Sequence, residues 1–494
     1  MTWWATARGP GGRPAAPDPA GPSRRTVLGA GAAGALLLAG CGPAESPEPT
    51  RHAPPYSIDD LLAQETFVIA HRGSGDNWPE HTMDAYRGAT AAGAMAIEVS
   101  VHATKDGVLV CHHDASTKRM TGVDRQIATT TWAELSRLRN DARRWLGPAT
   151  PLAPIPRLSD VLDAFIGTHV LFIEDKTGTN HAEVLDAILA HPGAQQRVVW
   201  KQHVGAQNLK AATDRGLRTW GYFTTNELDV VDQYQDRFDL LGLILAADDD
   251  AFRRLVATGK PVIAWEVHRR SDLARLRQLG VRGMMCSNYP YVSTDEAALT
   301  QDQFGVGRRS AGDLPYVIGG SWVTQPQWLM EDSALRLAHP TNTSYVLGSL
   351  APVQRDSHSL RWSVRWPTRM PSANQHAGVA FGQENDAVYR PTLPSTVGGY
   401  HAILRANGQV GVYRRDPGQA AGTLLADFRS PAPTPGQWVS LNIDVTRTTL
   451  IVYRDGDDAW TASAKDDTYR GGYVSLCKNY PGALPVDFKR VHVD

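Results

Sequence analysis

Between residues 67 and 290 the chain alternates short apolar runs with stretches of helical periodicity. Runs at 67–70, 96–101, 170–174, 198–200, 218–222, 241–245, 262–265 and 283–286 are rich in aliphatic and aromatic residues, as expected of strands buried on both faces. Apolar spacing predicts helices over 82–92, 161–165, 182–189, 251–257 and 273–279, with Ser159 and Ser271 as N-caps. A strand–helix repeat sustained over about 225 residues predicts a parallel sheet with helices outside it, and the length suits an α/β barrel closed by eight strands. A ninth run, 108–112, follows 96–101 across Thr104-Lys105-Asp106-Gly107. Asp-Gly is a two-residue hairpin signal and a hairpin is antiparallel, so this run is expected as a return arm over the barrel mouth. Pairing Lys105 with Val108 across the turn sets Ser100 opposite His113 and carries His113 back beside Glu98.

Beyond about residue 310 the helical periodicity ends. Asn407-Gly408, Pro435-Gly436 and Asp455-Gly456 punctuate alternating segments such as 401–404, 410–413, 438–443 and 449–453, which is the pattern of an all-β sandwich. The expected organisation is therefore a barrel over 61–305 and a β-sandwich over 310–494. Upstream, Ser23-Arg24-Arg25 precedes an apolar run, 26–40, of 15 residues. A membrane-spanning helix needs about 20, so 1–41 reads as an export signal. Its paired arginines resemble a twin-arginine motif. Leu38-Ala39-Gly40-Cys41 resembles a bacterial lipobox, in which Cys41 carries the lipid. Residues 42–60, rich in Pro and Glu at their start, read as a tether.

Composition narrows the picture. At 42% hydrophobic and 20% charged, the chain buries a sizeable core. A net charge of -1 excludes a basic nucleic-acid module as a description of the whole. Four scattered cysteines are too few for a disulfide scaffold. With Cys41 set aside, Cys111, Cys286 and Cys477 cannot all pair internally, so at least one thiol is free.

Polar groups gather at successive strand ends: His71 and Arg72 after the first, Glu98 ending the second, His113 and Asp114 on the return arm, and Glu174 and Lys176 on the next. The C-terminal mouth of a barrel is where catalytic groups converge. Two imidazoles, two acids, an Arg and a Lys there point to proton transfer on an anionic substrate, and phosphoryl chemistry fits. One histidine accepts a proton while the other donates one. The glutamates are hard oxygen ligands suited to Ca²⁺ or Mg²⁺, and the cations neutralise phosphate oxygens.

At these residues the chain resembles the glycerophosphodiester phosphodiesterase family, whose fold is a phospholipase-C-like TIM barrel. The matching stretches are His71-Arg72-Gly73, Pro79-Glu80-His81-Thr82, 97–107, His112-His113-Asp114, 172–176 and 283–290, together spanning about 67–295. The resemblance implies hydrolysis of a glycerol-containing phosphodiester, with His71 and His113 as the acid/base pair. It places Arg72 and Lys176 on phosphate, Glu98 and Glu174 on a divalent cation, Trp265 near the glycerol end, and Glu80 along the site wall. Three positions depart from the family pattern. Ser100 stands where a second acid is usual, leaving a neutral, weaker metal ligand that water, a substrate oxygen or His102 would supplement. Asn288 replaces Asp and His81 replaces Asn. The closing segments, 472–476 and 486–491, resemble those of concanavalin-A-like jelly rolls.

His112 alternates with His113 and is expected to be structural, and His102 reads more readily as a strand histidine than as a ligand. Trp322, Trp328, Trp362, Trp366, Trp438 and Trp460 are expected mostly in the sandwich core, and Asp455-Gly456-Asp457-Asp458 as a hairpin turn. The expected partners are a small phosphodiester or glycerol phosphate polymer, the membrane through Cys41, and a glycan at the sandwich, with no nucleic acid. The expected location is extracytoplasmic, as a bacterial membrane lipoprotein. Two other readings are open: a catalytically silent barrel presenting a glycan-binding module, and a phospholipase-D-like enzyme acting on intact lipids.

Overall fold

All eight expected barrel strands form, and several run one to three residues further than their apolar run. In chain order they are β1 (Phe67–Ala70), β2 (Ala96–Ala103), β4 (Val170–Asp175), β5 (Val198–His203), β6 (Arg218–Phe223), β7 (Leu240–Ile244), β8 (Val262–Val267) and β9 (Gly283–Cys286), with the return arm β3 (Leu109–Cys111) between β2 and β4. The extensions carry polar residues, as in His102-Ala103, Lys201 to His203 and Glu266-Val267, so apolar content alone stops short of them. Glu98 therefore lies inside β2 and does not end it. The eight strands pair in parallel, and β9 returns to β1 to close the barrel. A computed structural model describes residues 54–314, 325–353, 355–387 and 394–494 of the chain. The export signal, Cys41, most of the tether and Trp322 lie outside the described residues. All described residues fall within one unit, His52–Asp494.

Strand alternation sorts the barrel. Phe67 and Ile69, Ala96, Val170 and Phe172, Val199, Trp220, Leu240, Ile263 and Met285 form one buried cluster inside it. The intervening residues, such as Ile97, Val99, Leu171 and Ile173, pack outward against helices. The helices are Met83–Ala91, Leu158–Phe165, His181–Leu189, Asp249–Val256 and Arg270–Gln278. Ser159 and Ser271 are not their caps, because two of these helices begin earlier than expected. Arg157 is the N-cap of the first, and its N–H donates to Asp160. The other is capped from the sandwich, where the Asp386 carboxylate accepts from the N–H groups of Arg270 (2.8 Å) and Ser271 (3.0 Å).

The return arm is antiparallel to β2, as expected, but its register is one residue off. Val101 pairs with Cys111, so Ser100 faces His112, not His113. The cause is a longer turn. Thr104 Oγ1 accepts from Val108 N–H and donates to Asp106, while Gly107 adopts φ +81°, which gives a three-residue loop in place of the two-residue turn.

The C-terminal third is a sandwich of two antiparallel sheets. One runs, in spatial order, Gln327–Leu329, Ala334–Leu337, Val486–Val493, His358–Arg365, Val439–Val445, Thr449–Arg454 and Thr461–Lys465. The other runs Thr343–Val346, Gly471–Asn479, His376–Gly382, Gly399–Arg405, Gln409–Arg415 and Thr423–Arg429. Their facing sides share one core that includes Trp362, Trp366, Leu441, Phe381, Tyr400 and Leu476, with Trp328 packed against it. Trp438 and Trp460 are only half-buried and lie under arginines instead. The 455–458 segment is the expected turn, between Thr449–Arg454 and Thr461–Lys465. Arg270 bolts the sandwich to the barrel by donating to the carbonyls of Tyr291 and Ala351 (2.9 Å each). Cys111, Cys286 and Cys477 are buried free thiols.

Candidate active site

The inward rows that build the apolar floor of the barrel continue upward into polar residues. Ala96 is followed on its row by Glu98 and Ser100, Phe172 by Glu174, Val199 by Lys201, Trp220 by Tyr222, and Ile263 by Trp265. Period-two geometry alone thus delivers these six side chains to one mouth. His71 and Arg72 sit in the tight turn that ends β1, where Arg72 takes a left-handed φ of 54° and its N–H reaches Glu98 Oε2 at 3.0 Å.

His71 is buried. Its Nδ1 lies 2.8 Å from Ser287 Oγ and 3.1 Å from Glu266 Oε1, while Nε2 accepts from Arg72 Nε at 3.2 Å. Ser287 also donates to Glu266. Behind Glu266 stands His268, 3.5 Å from it and 2.5 Å from Asp76 Oδ2. Burial disfavours the His268 imidazolium, but Asp76 and Glu266 outweigh that and raise its pKa to about 9. Burial likewise works against the Glu266 carboxylate, yet His71 and His268 hold its pKa well below the ordinary carboxylate value. Neither Glu266 nor His268 is singled out by the sequence. Their one signal is position, just after Trp265 on a strand ending at the mouth.

His113 faces the same cluster from the return arm. Its Nδ1 is 2.8 Å from Asp114 Oδ1, which leaves Nε2 for chemistry. Burial lowers its pKa to about 4, helped by Arg72 and Lys176 against the pull of Asp114. Two other histidines hold the arm in place: His102 Nε2 meets the His113 carbonyl at 3.2 Å, and His112 Nδ1 meets the Asp114 carbonyl at 2.8 Å. Both are positioning groups, and His102 is not in a ligand's place. His81 is buried against Tyr86 OH at 2.8 Å. Asn288 is also buried, accepting from Asn77 Nδ2 at 3.0 Å.

Glu80 links the two halves. It is buried, and its carboxylate takes Arg72 at 3.2 Å and Arg119 at 2.5 Å, while Arg119 Nε takes Asp114 at 2.6 Å. Arg119 comes from a short helix, Lys118–Thr121, with no sequence pattern to mark it. A continuous chain of contacts thus runs from His71 through Arg72, Glu80, Arg119 and Asp114 to His113.

Glu98 and Glu174 come together as expected, and a cation lies between them: the Lys201 ammonium, 2.7 Å from Glu98 Oε1 and 2.8 Å from Glu174 Oε2. Every carboxylate oxygen of the pair accepts from the protein. Ser100 Oγ donates to Glu98 Oε1 (3.0 Å), the Arg72 N–H to Glu98 Oε2 (3.0 Å), Tyr222 OH to Glu174 Oε1 (2.6 Å) and Lys176 to Glu174 Oε2 (3.2 Å). Burial opposes all three charges, but mutual attraction prevails, lowering the pKa of both glutamates and raising that of Lys201. This donor set does not fit a calcium or magnesium ion. Such ions need oxygen lone pairs at about 2.0–2.6 Å, and the gap is held by a group that has none. The expected Ca²⁺ or Mg²⁺ ligands Glu98, Glu174 and Ser100 are instead engaged with Lys201 and with one another. Nor is any group of three His, Cys, Asp or Glu side chains among the described residues placed to hold a metal.

Trp265 stands edge-on to Tyr222, with ring centroids 5.6 Å apart.

The chain is similar to known proteins of one family. The family model described as "Glycerophosphoryl diester phosphodiesterase family" matches residues 71–184, which carry both histidines. A glycerophosphodiester phosphodiesterase of Caldanaerobacter subterraneus subsp. tengcongensis is 33% identical over 135 residues, 27% of this chain and 51% of the relative. The match thus spans about half that relative's length. A putative glycerophosphoryl diester phosphodiesterase from Silicibacter pomeroyi aligns structurally at 24% identity and a TM-score of 0.39, covering 46% of this chain and 90% of that one. The glycerophosphodiester phosphodiesterase of Bacillus subtilis is 32% identical over 265 residues, 47% of this chain and 87% of the relative. With that relative covered almost end to end, the chain belongs to the glycerophosphodiester phosphodiesterase family.

Proposed function

We propose that this chain is a surface-anchored phosphodiesterase that hydrolyses glycerol-containing phosphodiesters to an alcohol and glycerol phosphate. The observation that carries the reading is the pair of carboxylate-backed imidazoles, Glu266–His71 and Asp114–His113, tied to one Arg72–Glu80–Arg119 cluster at a barrel mouth. His113 is the base. Its Nδ1–H is held by Asp114, its pKa of about 4 keeps it neutral near pH 7, and its Nε2 lone pair removes a proton from the attacking water, whose oxygen ends on the glycerol phosphate. The new oxygen–phosphorus bond forms as the bond to the leaving alcohol breaks. His71 gives that alkoxide its proton, with Glu266 across Nδ1 to balance the charge of the ring. In the free site Arg72 Nε donates to His71 Nε2. A phosphate offers the guanidinium a better acceptor, and the freed Nε2 takes up a proton from solvent before it serves as the acid. Lys176 supplies a second charge to the phosphate, and Trp265 lines the glycerol end.

The export motifs and Cys41 support attachment to the outer face of a bacterial membrane. Deacylated phospholipids and glycerol phosphate polymers are the substrates within reach there. The test is release of glycerol phosphate from glycerophosphocholine and glycerophosphoglycerol by the wild type and by His71→Ala and His113→Ala. Each substitution is expected to lower turnover by at least about a hundredfold with an unchanged melting profile. Near-wild-type turnover in both variants removes the reading.

A further inference from the structure

Enzymes of this family are commonly metal-dependent, and two glutamates on adjacent inward rows are the natural start of a cation site. Here the gap between them already holds Lys201. We propose that the Lys201 ammonium takes the place of the divalent cation, and that this chain cleaves its phosphodiester without a metal. The inference deepens the hydrolase reading and rests on it for the cleavage, while the occupancy of the site by Lys201 stands on geometry alone.

Four observations carry it. Lys201 Nζ touches one oxygen of each carboxylate, at 2.7 and 2.8 Å, so it sits where an ion shared by the pair would sit. Its strand position admits no other direction for the stem, because Lys201 shares the inward row with Val199, a residue of the barrel floor. The ammonium lies close to two aromatic rings, 5.7 Å from Trp220 and 5.5 Å from Tyr222, which favour a cation there. The third candidate ligand is committed elsewhere, since Ser100 donates its hydroxyl proton to Glu98 Oε1, the oxygen that Lys201 also contacts.

Substitution also preserves the electrostatics. A divalent ion held by three carboxylates carries the same net charge as an ammonium held by two, so Lys201 and Ser100 make sense as a matched pair of changes. An ammonium has three N–H donors. Glu98 and Glu174 take two, leaving the third for a phosphate oxygen. Lys201, Lys176 and Arg72 then stand as three fixed positive charges around the phosphate, and no water shell has to be removed from a metal on binding.

The experiment uses the full chain freed of metal by chelating resin and checked by elemental analysis. Turnover of glycerophosphocholine and of glycerophosphoglycerol is measured with EDTA and with added CaCl₂, MgCl₂ or MnCl₂, and binding of the three salts is followed by titration calorimetry. The expected result is turnover within about twofold in every condition and no saturable heat of metal binding to the wild type. The paired variant Ser100→Asp with Lys201→Ser, shown folded by its melting curve, is expected to bind one divalent ion per chain. A loss of about tenfold or more on metal removal, restored by a divalent salt, overturns the proposal. So does saturable binding to the wild type that matches the paired variant. If neither probe is hydrolysed under any condition, the hydrolase reading falls by itself. The calorimetric contrast between wild type and paired variant then still decides whether Lys201 holds the cation position.

Discussion

His268 offers the sharpest quantitative test of the site's electrostatics. It is buried between Asp76 and Glu266, at 2.5 and 3.5 Å, and these anions more than offset the cost of burying an imidazolium. The rise of its pKa from 6.5 to about 9 corresponds to about 3 kcal/mol of folding stability, at about 1.4 kcal/mol per pH unit. The sign follows from proton linkage. Below pH 6.5 the ring is protonated in folded and unfolded chains alike, and the stabilisation is present in full. It drains away as the pH rises through 9, because only the folded chain still holds the proton. Replacing His268 with Gln removes this dependence. The variant also leaves Asp76 without its cation, which lowers stability at every pH, so the diagnostic quantity is the slope. Urea unfolding followed by tryptophan fluorescence, at about pH 6 and about pH 10, is expected to show the wild type losing about 3 kcal/mol more than His268→Gln over that interval. Parallel profiles would refute the buried imidazolium, and with it the Asp76–His268–Glu266 support for His71.

The depressed pKa of His113 predicts that kcat/KM stays flat as the pH is lowered past 6.5 and falls only toward about 4, where the base becomes protonated; an acid limb near 6.5 contradicts the burial argument. Glu80→Gln strips the shared carboxylate from Arg72 and Arg119 and is expected to cost about 3–5 kcal/mol of stability in urea unfolding, with a raised KM from a displaced Arg72. Cys41→Ala in a bacterial host is expected to abolish incorporation of labelled fatty acid and to move the protein from the membrane to the soluble fraction; retained label rules out Cys41 as the anchor point.

The barrel was legible because its strands are apolar and β-branched on both faces, a pattern that helices packed outside a closed sheet require. What the pattern could not show was where each strand stops. Lys201-Gln202-His203 reads as a loop on hydrophobicity, yet it continues β5, because in a barrel the upper strand residues face a polar mouth. The same blind spot hid Lys201. Its two-residue offset from Val199 is a usable signal, since a lysine on an inward row must find anions, and Glu98 and Glu174 were already in view. Arg119, Glu266 and His268 had no comparable signal. Arg119 reaches the site from a short helix 39 residues after Glu80, and only the closed fold brings the two together. The hairpin register failed for a local reason, the Thr104 side chain bonding across the turn, which an Asp-Gly rule does not weigh. His71, Arg72, Glu98, His113, Glu174 and Lys176 converge because each is tied to a strand end or to the hairpin, the features that periodicity reads best.

The buried charges also explain one another. Asp76, Glu266, Glu80, Asp114, Glu98 and Glu174 each touch a cationic or imidazole partner, and Arg119 and Lys201 each bridge two of these acids. Six carboxylates thus face five cations, His268, Arg72, Arg119, Lys176 and Lys201. A general acid at His71 has to carry a proton before the reaction, and that proton brings the cluster to neutrality. The entering phosphodiester adds one negative charge beside Arg72 and Lys176, and the proton that passes from the nucleophile to His113 moves charge within the site without changing its sum. With Ser100 in place, a divalent ion instead of Lys201 would raise the sum by one, whereas Lys201 with Ser100 keeps the sum that a divalent ion and a third carboxylate would give.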